Sequence, residues 1–293
     1  MNKRKVIRNL VIFTVIVILS GWLGMLIDKV IPEQPEGDSL GMGIWLVLPL
    51  LAVIAFRTFA GDGWKDAALN PRLKSNAIWY VVAFLIFPAV TAIVMVIGSV
   101  LGWIDLSGFN LFDFIPIFFG LLIFEFIKNI FEESVWRGYL TTKLIKLNLS
   151  DLSLYLIVGL IWSVWHLPYY MEFLPEEVIT SVLPVSRFAF FLVGVLVMVV
   201  WTVMFVEIFR LTNSIWPVVL LHAVEDAVIN PLVIDGHISI ASGMEIFISP
   251  ICGIIPTAFY LLIGLWLRKR RISTESDSNI GSKWYSIDEC VNN

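Results

Sequence analysis

LFDFIPIFFG LLIFEFIKNI FEESVWRGYL TTKLIKL, residues 111–147, is apolar enough over most of its length to sit in a bilayer, yet it carries Glu125, Lys128, Asn129, Glu132, Glu133 and Arg137. An ionisable group at bilayer depth costs at least ~2.5–3.5 kcal/mol on insertion scales, so this span is a poor simple anchor. Its charges must be paired, and charge at that depth is by default a functional signal. The adjacent Glu132-Glu133, followed by Arg137, is the part that reads as chemistry.

The rest of the chain has the same character. It is 58% hydrophobic and 15% charged, with polarity confined to short patches between long apolar runs, which is the pattern of a polytopic membrane protein. Its partners are then the lipid bilayer and whatever enters the bundle, with no nucleic acid among them. Two cysteines cannot build a disulfide framework, and Cys252 and Cys290 read as free thiols. The N-terminus, MNKRKVIRNL VIFTVIVILS GWLG, has the basic-then-apolar order of a signal peptide but no small-x-small cleavage site. It reads as an uncleaved first helix.

A spanning helix needs roughly 20 mostly apolar residues. The candidates are 9–27, 40–60, 77–102, 114–146, 152–174, 187–210, 214–230 and 247–267, with Pro168 kinking or ending the fifth. Lys and Arg gather at the N-terminus, in the even-numbered connections (Arg57, Lys65, Arg72, Lys74, Lys143, Lys146, Arg210) and after the last span (Arg268 to Arg271). The odd-numbered connections hold only Lys29 and Arg187. The positive-inside rule then puts both termini in the cytoplasm, at the plasma membrane if the source is bacterial. The expected fold is all-α, about eight transmembrane helices in one bundle around an intramembrane cavity. That domain covers 1–271, a polar and mobile cytoplasmic tail covers 272–293, and the loop at 61–76 has room for a short interfacial helix.

Of three histidines, His166 and His222 lie inside apolar spans. At ~1.5 Å per residue, Glu132 is on the order of 16 Å from the end of its span near Lys143, His222 a similar distance from Arg210, and His166 about 22 Å from Asp151. Three helices thus present polar groups in one slab near mid-membrane. Glu133 and Arg137 form an i,i+4 pair in the favourable order, and Glu132, about 100° around the helix, points elsewhere. His222 and Asp226 are also i,i+4, and Glu125 with Lys128 reads as a local i,i+3 pair.

One carboxylate and two imidazoles in a water-restricted cavity suit hydrolysis. The Glu activates water, one His orients it, and the other stabilises an oxyanion. The same Glu132, His166 and His222 could instead ligate Zn²⁺. The HExxH signature that usually marks a zinc peptidase is absent; GxSxG is absent too and Cys252 has no base at helical spacing, which sets serine and cysteine nucleophiles aside.

Three short motifs carry a resemblance. Glu132-Glu133-Ser134-Val135-Trp136-Arg137 is similar to the EExxxR motif of the CPBP family, the Abi-like CAAX prenyl protease and bacteriocin-processing intramembrane endopeptidases. Trp162 to His166 resembles its FxxxH motif with Trp for Phe, and His222 to Asp226 its HxxxN motif with Asp for Asn. The resemblance covers roughly 111–230. It implies Glu132 as general base, His166 positioning water, Glu133 and Arg137 as a supporting ion pair, and His222 with residue 226 as oxyanion stabilisers. No cofactor is required in that mechanism. It also implies a peptide or protein substrate, lipid-modified in CAAX processing, or a role in bacteriocin maturation and self-immunity. An ionised Asp226 cannot donate to an oxyanion as Asn does; it serves either protonated or by orienting His222. Two other classes use similar residues: an ion- or proton-coupled transporter with buried Glu and His, and a non-catalytic family member that protects by binding. No inverted repeat accompanies the first, and intact motif residues speak against the second.

Overall fold

The computed structural model describes residues 3–31, 33–35 and 39–291, with side chains as far as residue 275. Among the described residues, seven helices are long and apolar enough to cross a membrane. They comprise α1 (Lys3–Val30), α2 (Leu40–Thr58), α3 (Leu73–Val100), a fourth crossing made of α4 (Leu111–Val135), a π-helical turn (Trp136–Thr141) and α5 (Thr142–Ile145), a fifth made of α6 (Asp151–Trp165) and a π-helical turn (Tyr169–Phe173), then, after the short α7 (Glu176–Val182), α8 (Arg187–Thr212) and α9 (Trp216–Ile234). The chain is an all-α, multi-pass membrane bundle.

The eighth expected span is divided. Helix α10 (Glu245–Ile248) stops before Ser249-Pro250, and α11 (Ile254–Val291) begins only after Gly253. Pro250 has no amide to continue a helix, and a Cβ on Gly253 would fall 2.7 Å from the backbone of Ser249. From there α11 runs back to the basic end of the bundle, where its Arg268 and Arg271 meet Asp151. Helical backbone then continues to Val291 through the segment expected as a mobile tail; Cys290 lies beyond the described side chains. The loop at 61–72 is built of turns and bends, without the interfacial helix allowed for it. Two short strands, β1 (Ile104–Asp105) and β2 (Ser239–Ile240), pair antiparallel between the α3–α4 and α9–α10 connections.

Capping residues set the helix starts. Ser39, Asn110, Ser150 and Ser186 each accept a backbone amide at the N-termini of α2, α4, α6 and α8. Small residues let the helices close on one another. A Cβ on Gly24 would sit 2.2 Å from the Gly41 carbonyl, so α1 and α2 meet backbone to backbone. Burial is uneven: 78% of the apolar window of α9 is inside the protein, against 17% for the fourth crossing, which turns Phe112, Phe119 and Ile123 outward. Helix α9 is therefore the core element, and α4 touches it from the lipid side.

Ion pairs gather at the end of the bundle where the basic residues cluster. Asp66, in the 61–72 loop, meets Arg57 at 2.6 Å and Lys143 at 2.8 Å and also pairs with Lys146. Partial burial works against its charge, but hydrogen bonds from those three cations outweigh this and hold its carboxyl well below the usual carboxylate range. Asp151 and Glu207 similarly collect Arg210, Arg268 and Arg271, tying α6, α8 and α11 together.

Candidate active site

The motif residues come from α4, α6 and α9. Glu132 and Glu133 end the regular part of α4, and the backbone then widens into the π-helical turn. Thr141 Oγ1 donates to the Trp136 carbonyl at 2.8 Å and Thr142 Oγ1 to that of Arg137 at 3.0 Å, each five residues back. Such widened turns are frequent at functional sites.

Glu133 and Arg137 are fully buried and joined at 2.8 Å, the i,i+4 pair expected from their spacing. The guanidinium lies between two aromatic faces, 4.5 Å from the Trp162 ring centroid and 4.4 Å from that of Phe205. The same Glu133 oxygen that receives Arg137 also receives Nδ1 of His222 at 2.8 Å. That contact links α4 to α9 across 89 residues of sequence and leaves His222 Nε2 for the cavity.

His166 caps the C-terminus of α6. Its Nδ1 lies 2.9 Å from the Trp162 carbonyl, which can only accept, so Nδ1 carries the hydrogen and Nε2 presents a lone pair. Glu132 Oε2 accepts the indole N–H groups of Trp136 and Trp162, both at 3.3 Å. The Trp that replaces Phe in the second motif therefore reaches Glu132 with a donor that Phe lacks. Both indoles escaped sequence reasoning, although Trp136 lies at i+4 from Glu132.

Asp226 is engaged by α4 and by its own helix. Its Oδ2 accepts from Lys128 Nζ at 3.0 Å and Asn129 Nδ2 at 2.8 Å, and its Oδ1 from Asn230 Nδ2 at 3.2 Å. Among the described residues no hydrogen bond joins it to His222. Lys128 meets Glu125 at 2.5 Å, but the pair is not closed on itself as the i,i+3 spacing suggested, because the same ammonium bridges to α9. Only the three-dimensional packing makes that visible: Lys128 and Asp226 are 98 residues apart.

A cavity of about 370 Å³ lies between these helices, lined by Glu132, His166, His222 and Asp226, with Lys128 beside them. That is the size range of a small-ligand pocket. Other parts of its wall are apolar, including Met42, Phe124, Val182 and Met198. Glu133 and Arg137 stand behind this wall and act through His222. Among the described residues, the compact set of His and carboxylate ligand atoms, all within 4.8 Å of one another, is His222, Glu225 and Asp226. It differs from the Glu132, His166 and His222 set considered for Zn²⁺, and Lys128 already neutralises one of its members.

Residues 114–228, which contain all six motif side chains, match the family model described as type II CAAX prenyl endopeptidase Rce1-like. No curated protein matches the chain.

Proposed function

The motif-bearing region belongs to the Rce1-like type II CAAX prenyl endopeptidases, a family of intramembrane proteases, and from that premise we propose that this chain hydrolyses a peptide bond with a water activated by Glu132. The observation carrying the proposal is that Glu132 of α4, His166 at the end of α6 and His222 of α9 line one mostly apolar cavity. The substrate is a peptide or protein segment, and the apolar wall suits one bearing a lipid chain.

His166 Nε2 accepts a hydrogen bond from the water and fixes its position. Glu132 takes the water's other proton as the oxygen attacks the scissile carbonyl carbon, and the carbonyl electron pair moves onto its oxygen. His222, in its imidazolium form, donates from Nε2 to that oxyanion while Glu133 and Arg137 hold the ring in place. Collapse breaks the C–N bond, and the proton stored on Glu132 passes to the leaving amine. One water is consumed, and one carboxylic acid and one amine are released, the acid's proton then passing to the amine.

The indoles of Trp136 and Trp162 orient the Glu132 carboxylate without closing it off, since they engage one of its two oxygens. No metal or organic cofactor enters this scheme; were Zn²⁺ used, Glu132, His166 and His222 would be its ligands. Both termini face the cytoplasm, which puts the Asp66 and Asp151 ion-pair clusters at that side.

The test is cleavage of a fluorogenic, farnesylated peptide ending in the C-a-a-X pattern by the purified protein in detergent. Wild-type protein is expected to cleave it in the presence of a chelator, and Glu132→Ala to lose at least ~10³-fold in rate while remaining folded. Undiminished cleavage by Glu132→Ala would remove the basis of the proposal.

A further inference from the structure

Position 226 is where the family's third motif carries an amide, and in this chain it carries a carboxylate that offers acceptors only. That carboxylate is already supplied with three donors, from Lys128, Asn129 and Asn230. It gives an oxyanion nothing, yet a cation stands 3.0 Å from it. The geometry points to Lys128 as an oxyanion donor, a further catalytic residue that supplies what residue 226 does not. This inference rests on the endopeptidase reading.

An ammonium has three N–H donors. Asp226 accepts one at 3.0 Å, and Glu125 Oε2 stands 2.5 Å away as an ion pair without hydrogen-bond geometry, which leaves at least one N–H. The Lys128 side chain keeps 27% exposure and lines the same cavity as Glu132, His166 and His222. Two carboxylates on different helices hold the ammonium from two sides, so its position is set before substrate arrives. Donors fixed in advance where charge develops are the effective ones.

His222 alone is a conditional donor. Its Nδ1 is engaged by Glu133, and its Nε2 donates only when the ring is an imidazolium. Lys128 adds a donor that does not depend on that protonation. During water attack the carbonyl electron pair moves to oxygen, and Lys128 hydrogen-bonds to it while keeping its proton. Collapse of the intermediate returns the pair to carbon, the C–N bond breaks, and the ammonium is released unchanged.

A purely structural role, neutralising Asp226, predicts something different, and Lys128→Met/Asp226→Leu separates the two. That variant removes the donor together with the Asp226 charge, and Glu125 is the one carboxylate that loses its cation. Assayed on the farnesylated peptide, with folding checked by thermal unfolding in detergent, it is expected to lose roughly 10²–10³-fold in kcat with KM within ~3-fold of wild type. Wild-type kcat in this variant overturns the inference. Lys128→Arg, which keeps both ion pairs, provides a second arm if the double variant does not fold. It is expected to lose about 10-fold in kcat, because the planar guanidinium cannot copy the ammonium's third donor; unchanged kcat counts against the inference.

A third arm does not need turnover. A peptidyl phosphonate, whose anionic oxygens imitate the tetrahedral intermediate, is expected to bind wild type at least ~10-fold more tightly than it binds Lys128→Arg or the double variant. Equal binding, or none to wild type, overturns the inference. Wild-type protein that binds the phosphonate but cleaves no peptide would instead overturn the endopeptidase reading.

Discussion

Two groups of ion pairs divide the molecule, and they are satisfied to different degrees. At the basic end, Asp66 and Asp151 each collect three cations, and no side-chain atom of Arg57, Asp66, Lys143, Asp151 or Arg271 is left buried without a partner. Inside the bundle, Glu125 Oε2, Glu133 Oε2, Arg137 Nε and Nη2, and Asn129 Oδ1 are all buried without a hydrogen-bond partner among the described residues. The end clusters staple loops and helices where water is near. The inner pairs leave polar capacity unspent where it costs most.

The largest break in that contrast should come from Arg137→Met. It leaves Glu133 buried with only His222 beside it, and removing one partner of a buried pair costs about 3–5 kcal/mol. Thermal unfolding in detergent should register this as a marked loss of stability, together with loss of cleavage. A stable, active variant would mean that the inner pair carries neither fold nor function.

A smaller effect, confined to activity, is expected of Trp162→Phe. The ring face over Arg137 is kept and the indole hydrogen bond to Glu132 is lost. A hydrogen bond to a charged group is worth ~1.5–3 kcal/mol, so kcat should fall roughly 10- to 100-fold with Tm little changed. If instead Tm falls and kcat holds, the indole is a packing element only.

The mildest effect belongs to the basic end. Asp66→Asn should cost about 1 kcal/mol at neutral pH, as expected of a half-solvated cluster. Because the folded-state pKa of Asp66 is depressed, its contribution is fully present above the unfolded carboxylate value near ~3.9 and declines as pH falls toward the folded value. The Tm gap between wild type and Asp66→Asn should therefore narrow between pH 6 and pH 3. A constant gap would show that the cations are not holding this carboxylate.

Apolar runs of the right length announced seven of the crossings, because a bilayer forces a long uninterrupted run for each one. The run at 247–267 read as one unbroken span, yet Pro250 and Gly253 divide it into α10 and α11, and hydropathy does not register lost backbone hydrogen bonds. The i,i+4 pairing of Glu133 with Arg137 was legible because it is local, as was the sharing of one slab by Glu132, His166 and His222. The His222 contact to Glu133 and the Lys128 contact to Asp226 were not, because each joins α4 to α9 and depends on how the two helices rotate against each other. The substitutions at 162 and 226 were visible as departures from the family motifs. Their consequences appear only with their partners: an indole N–H on Glu132, and an ammonium on Asp226.

The central claim is that Glu132 activates water and is not itself the nucleophile. Its most direct test is single-turnover cleavage of the farnesylated peptide in H₂¹⁸O, followed by mass analysis of both product and protein. One ¹⁸O atom is expected in the new carboxylate of the product, none in Glu132, and no product from Glu132→Gln. Label appearing in Glu132, or product formed at the wild-type rate by Glu132→Gln, would contradict it.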